Sequence, residues 1–174
     1  MAQLYRVYID KGFRFICGRV LLDPNMIESK EIKMSKENFT NLIYENPLSC
    51  ESDVKNFVLE GEANISFENG VMRLASKLDP ALGQAANYVY WCDADFPSDV
   101  MIQWKFKPLA ETGLCILFFS ALGINGEDIF DKSLRERNGR YDQYHNGDIN
   151  AFHVSYYRTN LKMQQMNRHS ELAI

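Results

Sequence analysis

From Asn41 onward, the chain consists of short alternating segments separated by turn residues, and this pattern constrains the fold more than any other feature. Segment 100–106 alternates an apolar inward row that starts at Val100 with an outward row that starts at Met101, as in a half-buried antiparallel strand. Glu68-Asn69-Gly70 is a hairpin signal between two such segments. We predict an all-β sandwich or jelly roll with antiparallel strands over residues 41–46, 60–67, 71–76, 86–92, 100–106, 114–119 and 148–158.

Composition and charge exclude several classes of protein. The 174 residues are 46% hydrophobic, which suits one soluble globular domain. With 19 Lys+Arg against 23 Asp+Glu, the net charge is −4, and there is no basic run. We therefore expect neither nucleic acid nor a membrane as a partner. The sequence leaves a homo-oligomer open.

The expected compartment is the cytoplasm. The sequence has no long apolar run and no secretory signal at its start. Its four cysteines are widely spaced and form no CxxC pair, so we expect reduced thiols and no zinc site.

Residues 1–40 differ from the rest of the chain. They alternate weakly and then pass into the charged stretch 28–37, which suggests a strand or two followed by a solvated linker or short helix. We predict an extension over 1–40, packed on the edge of a β-sandwich domain over 41–174.

The region after residue 113 is the most informative about function. Segment 114–119 is apolar on both faces, which predicts a central strand. A polar, glycine-rich excursion over 120–147 follows, and long loops in compact domains usually carry function.

The last predicted strand, 148–158, has two different faces. Period-2 geometry puts Phe152 and Val154 on a core face, whereas His153 and Ser155 lie on a face suited to a groove floor. His145 lies in the preceding turn, where a ligand has access. The structural alternative for His153 is a residue hydrogen-bonded to a neighbour.

Carboxylates are numerous in the excursion. Glu127 and Asp128 are candidates for a general acid and base, although an extended backbone would point them to opposite sides. No cofactor is predicted except a calcium ion, for which the signal is weak because the spacing of its candidate ligands matches no EF-hand loop. Those candidates are Asp128, Asp131, Asp142 and Asp148.

Two further residue types fit saccharide recognition. Arg137 is suited to bidentate contact with a carboxylate, or to pairing with a neighbouring acid. Trp91 is suited to stacking on a sugar ring, or to the core.

Several motifs together closely resemble the YesU-like bacterial family, a domain of unknown function found among genes for pectin and rhamnogalacturonan degradation. They are Tyr90-Trp-Cys92, 113–119, 126–131, 144–150 and 153–158. The resemblance implies a concanavalin A-like jelly-roll sandwich and a role in polysaccharide degradation. Residues 1–40 have no counterpart in the family, and the family's domain continues for several more strands beyond the position of Ile174. We therefore expect a sandwich without its closing strands, and favour this over substitution by N-terminal strands.

The resemblance also implies which residues lie at or near the groove, where an acidic oligosaccharide would bind. They are Glu127, Asp128, Arg137, Tyr141, Tyr144, His145, Asp148, Asn150 and His153.

If the protein is an enzyme, a lyase is favoured over a glycoside hydrolase. Arg137 or Asn150 would neutralise the uronate, and His145 would move protons with Tyr141 or Tyr144. A hydrolase would use Glu127 with a partner such as Asp148.

The alternatives to an enzyme are a non-catalytic carbohydrate-binding module and an inactive fragment. Convergence of His, Tyr and Arg within hydrogen-bond reach would favour an enzyme, whereas a face of stacked aromatic rings would favour binding.

Overall fold

The computed structural model describes residues 2–10, 39–98, 100–109, 113–158 and 168–173, with side chains over 41–98, 100–109 and 114–155. The described strands are β1 Ala2–Asp10, β2 Phe39–Asn46, β3 Val58–Gly61, β4 Ala63–Glu68, β5 Val71–Ser76, β6 Tyr88–Trp91, β7 Val100–Phe106, β8 Gly113–Gly123, β9 Ile149–Arg158 and β10 Arg168–Ala173. Two 3-10 helices, Glu51–Val54 and Pro80–Ala86, and one α-helix, α1 Tyr141–His145, complete the described elements. Within these ranges, no helix is long and apolar enough to span a membrane.

The strands form antiparallel sheets, which confirms the predicted all-β class. A six-stranded sheet has the order β10-β7-β1-β5-β4, with β2 also paired to β1. Strand β3 pairs with β6, and β8 pairs with β9. The predicted hairpin joins β4 and β5, where Asn69 and Gly70 adopt φ of 53° and 70°, as a tight turn requires.

The N-terminal strand lies inside the large sheet, whereas the sequence favoured an extension at the domain edge. Tyr5 of β1 pairs with Trp104 of β7 on one side and with Asn46 of β2 on the other. A strand between two others pairs with the backbone donors and acceptors along one edge of each neighbour. The weak alternation of the sequence does not reveal this position. The charged stretch 28–37 lies outside the described residues.

The segment predicted as one strand over 60–67 is divided between two sheets. Gly61 has φ of +88°, a value that glycine adopts without strain, and the chain leaves β3 there. Ile65 consequently belongs to β4 in the large sheet, while Glu60 stays in the β3–β6 ladder. This division matters because it keeps Glu60 in the β3–β6 ladder, where its side chain contacts the long excursion.

Within the described residues, three apolar clusters form the core. One contains Ile102 and Trp104 of β7, and another contains Leu48 and Met72. The third contains Trp91, Tyr144 and Ile149, and it lies under the excursion. Met101, predicted to point outward, is only 8% exposed, so both faces of β7 are covered at its start.

Strand β8 contributes to two of these clusters. Leu117 and Phe119 pack against the Ile102 cluster, and Phe118 packs against the Trp91 cluster. Both faces of the strand are therefore used, as its apolar sequence predicted. Among the described residues, however, β8 pairs only with β9 and is not the middle of a wide sheet.

Candidate functional site

The excursion between β8 and β9 is closed at its base by backbone hydrogen bonds. Gly123 N–H donates to the Glu127 carbonyl at 2.8 Å, and Ile124 N–H donates to the Asp148 carbonyl at 3.0 Å. The side chain of Asp148 accepts from the Arg135 backbone N–H at 2.7 Å. This bond lowers the pKa of Asp148, so the carboxylate stays ionised while it holds the loop.

The carboxylates predicted for chemistry hold turns. Glu127 accepts from the backbone N–H of Asn125 at 2.9 Å and from its side-chain amide at 2.8 Å, and the side-chain bond in particular lowers the pKa of Glu127. A general acid needs a raised pKa, so this environment does not support proton donation by Glu127. Asp128 accepts from Phe130 N–H at 2.7 Å in an analogous turn.

The spacing of the aspartates indicates a calcium site only weakly. Across the described ranges, no three His, Cys, Asp or Glu side chains come together as metal ligands. Asp131 accepts from Ser133 N–H at 2.8 Å, and Asp142 pairs with Arg140 at 3.3 Å.

A buried ion pair attaches the excursion to β3. Arg137 Nη2 donates to Glu60 Oε1 at 2.7 Å, and its Nε lies 3.0 Å from the same oxygen. The Arg137 and Glu60 side chains are only 5% and 9% exposed. Arg137 Nη2 also donates to the Ile129 carbonyl at 2.7 Å. The guanidinium predicted to neutralise a substrate carboxylate is thus paired with a carboxylate of the protein.

Tyr144 completes this network. Its hydroxyl donates to Glu60 Oε2 at 2.6 Å and accepts from Gly139 N–H at 3.0 Å. Burial raises the pKa of Tyr144, and the bond to Glu60 raises it further, so the phenol stays protonated. Because the residue is 4% exposed, it supports the site from beneath. We call Glu60, Arg137 and Tyr144 the anchor triad.

Two glycines permit the backbone contact beside the anchor triad. Gly139 has φ of +91°, and a Cβ there would lie 2.3 Å from the carbonyl oxygen of Asn87. A Cβ on Gly61 would lie 2.7 Å from the carbonyl oxygens of Asn87 and Asn138. The absence of a side chain at both positions lets the excursion lie directly on the β3–β6 ladder, immediately before α1.

Helix α1 and β9 bring three predicted residues together at the surface. The rings of Tyr141 and His145 are stacked, with centroids 5.6 Å apart and planes at 13°. Tyr141 also meets His153 edge-on at 6.3 Å, and His153 meets Phe118 edge-on at 5.9 Å. Both histidines are exposed and both other rings are half-buried. We call these four residues the ring surface.

The anchor triad and the ring surface are in contact. The ring of Tyr144 lies 5.4 Å from that of Phe118 and 6.3 Å from that of Trp91. Trp91 is 8% exposed, and its Nε1 has no hydrogen-bond partner within the described part of the chain. The structure therefore places Trp91 below the ring surface, as its support.

The two faces of β9 separate as the alternation predicted, although burial differs. Phe118 pairs with His153 on one face, and Phe119 stacks with Phe152 on the other at 5.8 Å. Phe152 is 58% exposed, whereas the sequence placed it on a core face. Asn150, predicted to bind substrate, is exposed at the start of β9.

The sequence interpretation missed Glu60 and Phe118 as parts of the site. Glu60 has a weak signal, since it is a charged residue between the apolar Leu59 and the turn-forming Gly61. Phe118 is hidden within a uniformly apolar run, where the face of each side chain cannot be assigned.

Comparisons with known proteins identify a family and a relative of this chain. A family model described as "Domain of unknown function (DUF1961)" matches residues 41–173. A curated relative, "Uncharacterized protein YesU" of Bacillus subtilis (strain 168), is 47% identical over 116 residues, which cover 67% of this chain and 50% of the relative.

A solved structure is also similar. It is the crystal structure of a protein of unknown function with a galectin-like fold from Bacillus subtilis, with a TM-score of 0.60 and 44% identity over 69% of this chain and 52% of that one. The predicted jelly-roll sandwich is thereby confirmed. The chain spans about half the length of these relatives.

Proposed function

This chain belongs to the YesU-like DUF1961 family, and on that premise we propose that its ring surface binds acidic oligosaccharides without transforming them. The observation that carries the proposal is the half-buried ring of Tyr141, which contacts the rings of the exposed His145 and His153. The expected biological setting is cytoplasmic handling of pectin-type fragments in bacterial polysaccharide degradation.

The chemistry of these side chains suits a uronic sugar. Aromatic rings pack against the apolar C–H face of a pyranose, while imidazole and phenol groups supply hydrogen bonds to its hydroxyls. A protonated imidazole also forms a charge-assisted hydrogen bond with a carboxylate. His145 stacks on Tyr141 and His153 meets it edge-on, so the three side chains are close enough to engage one sugar ring and its carboxylate together.

The geometry favours binding over elimination. A lyase must neutralise the uronate carboxylate, but Arg137 is buried and paired with Glu60. Tyr144, a candidate for proton transfer, is buried and held protonated beside Glu60. Tyr141 and His145 meet by stacking, which is the arrangement of a binding platform.

The test is a titration of the full chain with saturated oligogalacturonides and with neutral galactose oligomers of the same length. We expect the uronic series to raise the melting temperature and to bind measurably by calorimetry, while the neutral series binds about tenfold more weakly or not at all. Ultraviolet absorbance at the enone band is followed in the same samples. Unsaturated product would replace the binding proposal with a lyase.

Variants locate the binding. His145→Ala should abolish binding with the melting temperature changed by only a few degrees, because its side chain is exposed. Phe152→Ser is the matched control, since Phe152 is exposed on the opposite face of the strand that carries His153. Equal loss in both variants, or no binding by any acidic oligosaccharide, would refute the proposal.

A further inference from the structure

The arrangement of the ring surface depends on a contact made below it. Tyr141 and His145 belong to α1, which has five residues. A helix of one turn has too few hydrogen bonds to persist by itself, so tertiary contacts must hold it in place. The most direct of these is Tyr144, which lies on the same turn and is the one buried residue of α1.

We infer that Glu60 is a positioning residue, which fixes the ring surface through the Tyr144 hydroxyl. The positioning role does not depend on the proposed function, and only the expected loss of oligosaccharide binding rests on it. Glu60 Oε2 accepts from Tyr144 at 2.6 Å, and the opposite oxygen is held by Arg137. The carboxylate therefore joins α1, the preceding loop and β3 at one buried point.

The same hydroxyl orients the chain that enters the helix. Gly139 N–H donates to Tyr144 at 3.0 Å, and Asn138 N–H donates to the side chain of Gln143 at 2.9 Å. The start of α1 is thus tied to its own side chains, while Glu60 ties the helix to the sheet. A shift of α1 would move Tyr141 and His145 away from His153, which lies on β9.

Tyr144→Phe is the sharpest variant, because it removes the hydroxyl and leaves the ring that packs on Phe118 and Trp91. Tyr90→Phe is the matched control. Tyr90 also donates its hydroxyl to a distant partner, the Val54 carbonyl at 3.3 Å, but it belongs to the cluster around Leu48. A general effect of losing a tyrosine hydroxyl would appear in both variants.

The first readout needs no ligand. A stacked aromatic ring shifts the nuclear magnetic resonance signals of its neighbour, so the His145 imidazole signal reports the contact with Tyr141 at 5.6 Å. The signal is assigned by comparison with His145→Gln. We expect Tyr144→Phe to move it towards the value of an unstructured peptide, and Tyr90→Phe to leave it unchanged.

The second readout is the dissociation constant for an oligogalacturonide, which should rise about tenfold or more in Tyr144→Phe while Tyr90→Phe binds normally. Glu60→Ala, which removes both acceptor oxygens, should give the same two changes if it folds, and Tyr144→Phe decides the question if it does not. An unchanged His145 signal in folded Tyr144→Phe would overturn the positioning role. A shifted signal without oligosaccharide binding by the wild type would support the positioning role and refute the proposed function.

Discussion

The Tyr144 hydroxyl donates to the Glu60 carboxylate at 2.6 Å, although the two residues are 84 positions apart in the chain. This contact attaches a single helical turn to a strand of another ladder and places a phenol beside an ion pair. Because it lies beneath the ring surface, the stability of the excursion and the geometry of the candidate site are linked.

The ion pair of the anchor triad should be sensitive to the loss of one partner. Arg137→Ala leaves the Glu60 carboxylate buried without its cation, and such changes cost about 3–5 kcal/mol of unfolding free energy. Urea denaturation followed by circular dichroism measures this loss. The control is Arg73→Ala, since Arg73 pairs with Glu68 at 3.5 Å on the surface and should change stability by less than about 1 kcal/mol. Equal effects of the two changes would contradict a buried role for Arg137.

The close contact between the Gly139 and Asn87 backbones should leave no room for a side chain at position 139. Gly126 has φ of +90°, and a Cβ there would have no atom within 4 Å. Gly126→Ala should therefore cost only about 1–2 kcal/mol, for holding an alanine at a positive φ. Gly139 has a similar φ of +91°, but a Cβ there would lie 2.3 Å from the Asn87 carbonyl oxygen. Gly139→Ala should therefore cost about 1–3 kcal/mol more, because of overpacking. Thermal denaturation of the two variants tests the difference. Equal melting temperatures would show that the excursion does not dock closely at Gly139.

Local patterns in the sequence predict much of the strand framework and part of the candidate site. Alternation locates β7 with its observed bounds, and the Asn69-Gly70 turn locates the β4–β5 hairpin. Alternation also separates His153 from Phe152 across the strand. These features depend on neighbouring residues, which is why the sequence reveals them.

Non-local contacts explain what the sequence could not reveal. Arg137 pairs with Glu60 across 77 positions, and only the folded chain shows that both are buried. Helix α1 has one turn between polar residues, so it has no periodic pattern to recognise. The position of β1 inside the large sheet likewise depends on pairing with β7, about one hundred residues away.

Alkaline pH should destabilise the protein through its buried phenols. Burial, together with hydrogen bonding by Cys92, raises the pKa of Tyr44 from 10.0 to about 12, and burial also raises the pKa of Tyr88, Tyr90 and Tyr144. The folded state keeps these phenols protonated where the unfolded state loses the protons. Stability is therefore intact below pH 10.0 and falls as pH rises towards about 12.

The measurement is phenolate absorbance against pH, combined with urea denaturation at each pH. We expect a fraction of the tyrosines to ionise only when the chain unfolds. Tyr44→Phe should lose less stability between pH 10.0 and about 12 than the wild type does, because it removes one group with a raised pKa. Ionisation of all tyrosines near pH 10.0 in the folded state would contradict the prediction.

Acid pH should act through Asp53, which holds the turn after β2. Its Oδ2 accepts from the Ser49 N–H and hydroxyl, both at 2.8 Å, and from Cys50 N–H at 3.2 Å. The bonds from Ser49 in particular lower the pKa of Asp53 below 3.8, so its contribution to stability is present above that pH and is lost as pH falls through the folded-state value. Asp53→Asn should therefore be less stable than the wild type at neutral pH, with the difference shrinking in acid. Urea denaturation across that range checks this, and a difference that stays constant with pH would show that the carboxylate charge has no role in the turn.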